Sequence, residues 1–139
     1  MSTILVNTLT GTSTAGSIAV TGEGNSTTTN LQQGLTKAWV NYTGITTTAA
    51  RDSFNISSLT DAGTGQTYPI SFTNNMGNDD YAGSYFQNSA AGTAYTNFSN
   101  QYVGGFGTFA TGSFGNYAFG SSNDTDSANN YTVIIGDLA

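Results

Sequence analysis

Leu35 to Gly65 reads LTKAWVNYTGITTTAARDSFNISSLTDAGTG, and the fold of the chain turns on how this stretch is read. KAWVNY (37–42) alternates, with Ala38, Val40 and Tyr42 on one side and Lys37, Trp39 and Asn41 on the other. That two-residue period is the mark of a half-buried strand. SFNISSL (53–59) directs Phe54, Ile56 and Leu59 inward, Leu59 only with a bulge or a strand end. DAGTGQ (61–66) is a turn, because Gly63 and Gly65 can take positive φ. TYPISFT (67–73) then returns with Tyr68, Ile70 and Phe72 on one face, so a hairpin is expected from Phe54 to Thr73. Pro69 cannot donate a ladder hydrogen bond and reads as an edge or strand-start residue.

Outward from this hairpin the same texture continues. NNMGNDD (74–80) is a loop, YAGSYFQ (81–87) a strand, and NYTVIIG (130–136) a central strand. Between them, from Tyr95 to Gly120, aromatics recur with glycines between, as in curved strands that carry aromatic rings over glycines. Residues 1–34 differ. They are Thr, Gly and Ser with two apolar punctuations, STILVNTL and SIAV, read as short strands that bury too little to stand alone. The expected organisation is an extended N-terminal β arm, residues 1–34, and a domain of residues 35–139. The fold class is all-β, an antiparallel β-sandwich or jelly-roll-like domain.

Composition excludes several function classes. Charged residues are 7% of the 139, against about 25% in ordinary soluble domains. The net charge is −6, and the two cations, Lys37 and Arg51, could neutralise little phosphate, so a nucleic-acid partner is not expected. No apolar run is long enough to insert in a membrane, and no signal peptide is recognisable at the start. The chain has neither Cys nor His, which removes thiol nucleophiles, zinc ribbons and every Ser-His triad.

The remaining candidates for chemistry are carboxylates. Asp52, Asp61, Asp79, Asp80, Asp124, Asp126 and Glu23 could pair for glycan hydrolysis, but all except Asp52 lie in turn contexts that favour Asp for capping. NDTDSANN (123–130) resembles half of a calcium loop through Asp124 and Asp126, without the Gly and terminal Glu of the complete motif. GGFGTFATG (104–112) lacks the Lys of a phosphate loop. The Thr-rich runs have no fixed spacing that would suit an ice-binding row. Trp39 and the Tyr/Asn-rich C-terminal third have the residue types of a sugar site, although a chain short of Leu and Val needs its aromatics for the core. No catalytic residue, cofactor or resident metal is expected.

The segment KAWVNYTG…ARDSFNISSLTDAGTGQTYPISFTNNM…DDY resembles a module of structural proteins of tailed bacteriophages, including cyanophages, common in tail fibres and related virion proteins. The shared positions are Lys37 to Val40, Tyr42, Gly44, Arg51 to Asn55, Asp61, Gly63 to Gly65, Phe72 and Met76. The resemblance runs from Leu35 to about Tyr85, with departures at Ala62 and Pro69, and the leader STILVNTLTG is also similar to the starts of such proteins. It implies a non-enzymatic virion component, oligomeric and often trimeric, whose partners are other virion proteins and host-surface glycan, and whose location is the particle. A short trimeric fibre is the leading expectation. A capsid decoration protein and a glycan-cleaving tailspike fragment are the alternatives. Trp39, Arg51 and Tyr42 are the expected binding residues, since Arg, Trp and Tyr concentrate at interface hot spots. Arg51 is expected to pair with Asp61 or Asp52.

Overall fold

The computed structural model describes residues 3–13, 18–22, 27–88, 103–119 and 126–139. Asp124 and Glu23, and the aromatics from Tyr95 to Tyr102, lie outside the described residues. The chain divides into two compact units, Met1–Leu35 and Thr36–Ala139.

In the first unit β1 (Ala19–Thr21) and β2 (Thr28–Asn30) form an antiparallel pair. They lead into a single helical turn, α1 (Leu31–Gly34). Asn30 caps that turn, its Oδ1 accepting from the N–H groups of Gln32 and Gln33 at 2.8 and 3.2 Å. A side-chain acceptor of this kind satisfies donors that a helix start leaves unpaired. β1 overlaps the expected SIAV strand at Ala19 and Val20 and runs on to Thr21. The expected strand over STILVNTL is absent: residues 3–6 and 8–10 have no regular structure, and Ile4, Leu5, Val6 and Leu9 are exposed. Alternating apolar side chains do not hold a strand without a neighbouring strand to bond.

The second unit contains β3 (Thr36–Thr43), β4 (Ala49–Phe54), β5 (Ile56–Gly63), β6 (Gln66–Phe72), β7 (Ala82–Asn88), β8 (Val103–Ala110), β9 (Ser113–Phe119) and β10 (Asn129–Ile135). They form two four-stranded antiparallel sheets, ordered β4-β3-β10-β7 and β5-β6-β9-β8. The protein is thus an all-β antiparallel sandwich. β10 is a central strand, in register with β3 (Val133 beside Trp39) and with β7 (Val133 beside Ser84).

The core lies between the sheets. Ala38, Val40, Tyr42 and Ile134 of the first sheet meet Ile70, Phe72 and Phe114 of the second, with Met76 and Tyr81 at one end. Phe72 packs on Tyr81 edge-on at 5.7 Å and on Phe114 at 5.4 Å. Phe106 reaches Phe114 at 5.7 Å and Phe109 at 5.8 Å. Aromatic area therefore replaces the Leu and Val that the chain lacks. Gly83 lets the sheets approach here: a Cβ on it would stand 2.6 Å from the Phe106 ring and 2.8 Å from Ile134 Cδ1. The expected layering of aromatics over glycines is seen where the Tyr117 ring covers Gly107 on the neighbouring strand.

Asn55 makes the corner between the two sheets. It is the single residue between β4 and β5, with φ +58°. Non-glycine residues seldom adopt this region, and Asn is among those that tolerate it. Its Nδ2 donates to Lys37 O at 3.0 Å and Asn74 O at 3.1 Å, and its Oδ1 accepts from Asn74 N at 2.7 Å. The corner reverses one expectation: Phe54 points outward, 51% exposed, while Ile56 and Leu59 pack against the core.

The β5–β6 hairpin turns at Gly63 (φ +137°) and Gly65 (φ +70°), as its glycines indicate, and Asp61 Oδ1 accepts from Gly63 N at 3.0 Å. Pro69 departs from expectation. It sits in β6, a central strand, at a register shift between Thr67 and Ile70. A bulge is the place where a central strand tolerates a missing N–H. The shift also changes the alternation, so Thr67 is buried with Ile70 and Phe72 while Tyr68 is only half-buried.

Candidate functional site

The outer face of the β4-β3-β10-β7 sheet carries the one Trp of the chain. β10 alternates strictly: Asn130, Thr132 and Ile134 are buried, and Tyr131, Val133 and Ile135 point away from the core, 42%, 41% and 48% exposed. Register fixes their neighbours. Phe54, Trp39, Val133 and Ser84 form one row across the sheet; Asp52, Asn41, Tyr131 and Phe86 form the next. Phe86 is 65% exposed. A solvent-facing sheet face is normally polar. This one is apolar at Phe54, Trp39, Val133, Tyr131, Phe86 and Ile135, and contiguous patches of that kind mark interaction sites.

Of the expected site residues, Trp39 lies in the middle of this face, half-buried. Arg51 lies at its margin on β4, exposed, and its partners differ from those expected. Its Nη1 donates to Asn41 Oδ1 and Tyr42 O, both at 3.3 Å, and its Nη2 donates to Ala128 O at 2.6 Å. Asp52 Oδ1 accepts instead from Ser53 N, and Asp61 Oδ1 from its own turn. The β3–β4 register shift after Asn41 explains the change, because it aims Arg51 across Tyr42 toward the segment before β10. The guanidinium thus ties β4, β3 and the entrance of β10 through neutral acceptors.

Tyr42 is not a surface residue. It is 1% exposed, directed between the sheets by the alternation of β3 and away from the apolar outer face. Its hydroxyl accepts from Asn116 Nδ2 at 3.1 Å, and the same Nδ2 donates to Thr132 Oγ1 at 2.7 Å. Tyr85 donates to Asn130 Oδ1 at 2.6 Å, and Asn130 Nδ2 donates to Ser127 O at 3.0 Å. Part of the sandwich interior is therefore a hydrogen-bonded polar layer. Asn116 Oδ1 is its one buried side-chain atom without a partner among the described residues. Burial raises the phenol pKa of Tyr42, Tyr81 and Tyr85 above the ordinary 10.0, and for Tyr85 the neighbouring Tyr42 adds to the effect. These phenols stay neutral near pH 7 and serve as donors and acceptors.

A small polar cleft, partly open to solvent, lies over this layer and is lined in part by Tyr42, Asp61, Thr67, Tyr85, Asp126 and Asn130. Asp126 is one of the two carboxylates of the half calcium loop. Its Oδ1 accepts from Gly65 N at 2.8 Å, so it braces the hairpin turn. Among the described residues no group of three or more His, Cys, Asp or Glu could hold a metal. The apolar face had been legible in principle, because Tyr131, Val133 and Ile135 alternate with the core residues of a recognised strand. No protein-family model, curated protein or solved structure matches the chain.

Proposed function

We propose that the protein is a structural component of a tailed-phage virion, a short trimeric fibre subunit displayed toward the host surface. The observation that carries this reading is the apolar outer sheet face, with Phe54, Tyr131, Val133, Phe86 and Ile135 exposed around a half-buried Trp39 in the single chain. A face of this kind suits a subunit whose surface is completed by other chains. The uncharged N-terminal residues 1–22, with Ile4, Leu5, Val6, Leu9 and Val20 exposed, support the same reading. The KAWVNY…RDSFN…GTG resemblance supplies the virion context.

The test is the mass of the purified chain in solution by light scattering, together with labelled antibody on intact phage particles. A trimer, and label on the tail, are expected. A monomer at micromolar concentration would overturn the fibre reading, and label spread over the shell would turn it toward capsid decoration.

A further inference from the structure

We infer that the outer face of the β4-β3-β10-β7 sheet is the docking surface for the N-terminal segment, residues 3–9, of a second copy of this chain. The inference rests on the proposed role as a self-assembling subunit and names the surfaces that join.

Chemistry selects the occupant. A chain of net charge −6 repels its own copies wherever charged surfaces meet. The outer face carries Phe54, Trp39, Val133, Tyr131, Phe86 and Ile135, with the exposed Asp52 on β4 at its margin. Residues 3–9, TILVNTL, are uncharged, and Ile4, Leu5, Val6 and Leu9 are 83%, 90%, 61% and 61% exposed. Both surfaces are apolar, and every additional copy brings one segment for each face.

Symmetry decides between pairing of two faces and exchange of segments. Five face residues, from their fractional exposures, offer roughly 400 Å² of apolar surface beside Trp39. Two such faces together would bury about 800 Å², and that pairing closes at two copies. The four aliphatic side chains of the segment add roughly 300 Å². Each segment-on-face contact buries about 700 Å² in total, and a chain that gives its segment and receives one makes two such contacts. Segment-to-face contact is head-to-tail, so three copies can close as a ring.

The absence of Cys makes the test clean. Full-length Leu5→Cys and Val133→Cys variants are mixed and oxidised, with Ser58→Cys on the opposite sheet as the control. The expected result is a Leu5→Cys/Val133→Cys heterodimer and at least a tenfold weaker product with Ser58→Cys. Val133→Asp should shift the solution mass to monomer with an unchanged far-UV circular dichroism spectrum. An assembled protein that gives only Val133→Cys homodimers would overturn this inference and leave the assembly reading standing. So would an assembled protein with neither product. A monomeric double variant closing its disulfide within one chain would also overturn it. A wild-type monomer by light scattering would remove both.

Discussion

Asn55 and Asn74 grip each other across the corner where the chain leaves one sheet for the other. Asn55 Nδ2 donates to Asn74 O at 3.1 Å, and Asn55 Oδ1 accepts from Asn74 N at 2.7 Å and Nδ2 at 3.3 Å. A fourth bond, to Lys37 O at 3.0 Å, ties the corner to β3. One side chain thus fixes the start of β5, the end of β6 and the edge of β3 relative to one another. Asn55→Ala should cost about 3 kcal/mol, combining lost hydrogen bonds with an unfavourable φ. Asn55→Gly removes the bonds but relaxes the φ of +58°, and should cost about 1 kcal/mol less. Denaturant midpoints of the two variants check this. Equal losses would show that the backbone conformation contributes nothing.

Arg51 makes a prediction about salt. Its acceptors are Asn41 Oδ1, Tyr42 O and Ala128 O, all neutral. Arg51→Ala should lower stability by about 1 kcal/mol, roughly 4 °C in melting temperature. The loss should be the same in 50 mM and 1 M salt, because screening acts on charge pairs. Asp52→Asn and Asp61→Asn should leave the size of the Arg51 effect unchanged. An effect that shrank with salt, or vanished in either Asn background, would restore a carboxylate partner.

Much of the sandwich was legible in the sequence because its strands alternate. Ala38, Val40 and Tyr42 face inward as the KAWVNY pattern requires, and Ile70 and Phe72 do so on β6. Alternation failed where the chain changes sheet or register. Phe54 shares the parity of Ile56 in a continuous strand, but Asn55 breaks the strand between them, and parity does not survive a corner. Tyr68 lost its inward position to the bulge at Pro69. The site was half legible. Trp39 was singled out by composition and stands in the apolar face, but of its two cross-strand neighbours, Phe54 on β4 and Val133 on β10, the second is distant in sequence and joined to it only by pairing. Arg51 was expected to seek a carboxylate. Local register gave it carbonyls, and charge counting cannot see register.

Gly83 sets the spacing of the sheets at the aromatic end of the core. A methyl group there meets the Phe106 ring at 2.6 Å and Ile134 Cδ1 at 2.8 Å, so both side chains must shift to admit it. Gly83→Ala should therefore cost about 2 kcal/mol by overpacking. Gly34→Ala, where nothing lies within 4 Å, should stay within about 0.5 kcal/mol of wild type. Phe106→Leu introduced with Gly83→Ala should recover part of the loss. Urea titrations of the three variants check the set, and a neutral Gly83→Ala would show that the sheets separate freely.

The buried phenols make the protein sensitive to alkali. Tyr42, Tyr81 and Tyr85 all have folded pKa values above 10.0, chiefly because burial disfavours the phenolate. Below pH 10 the folded and unfolded chains hold the same phenol protons, and stability does not depend on them. Above pH 10 the unfolded chain releases protons that the folded chain retains, so stability falls as pH rises. Each retained proton contributes a slope of about 1.4 kcal/mol per pH unit. Tyr85→Phe removes one such group. It should cost about 1 kcal/mol near pH 7, through the bond to Asn130, yet flatten the decline above pH 10 by one proton. Unfolding midpoints between pH 8 and 11.5, followed with phenolate absorbance, measure both effects. A decline of unchanged steepness in Tyr85→Phe would mean that this phenol ionises as readily in the folded chain as in the unfolded one.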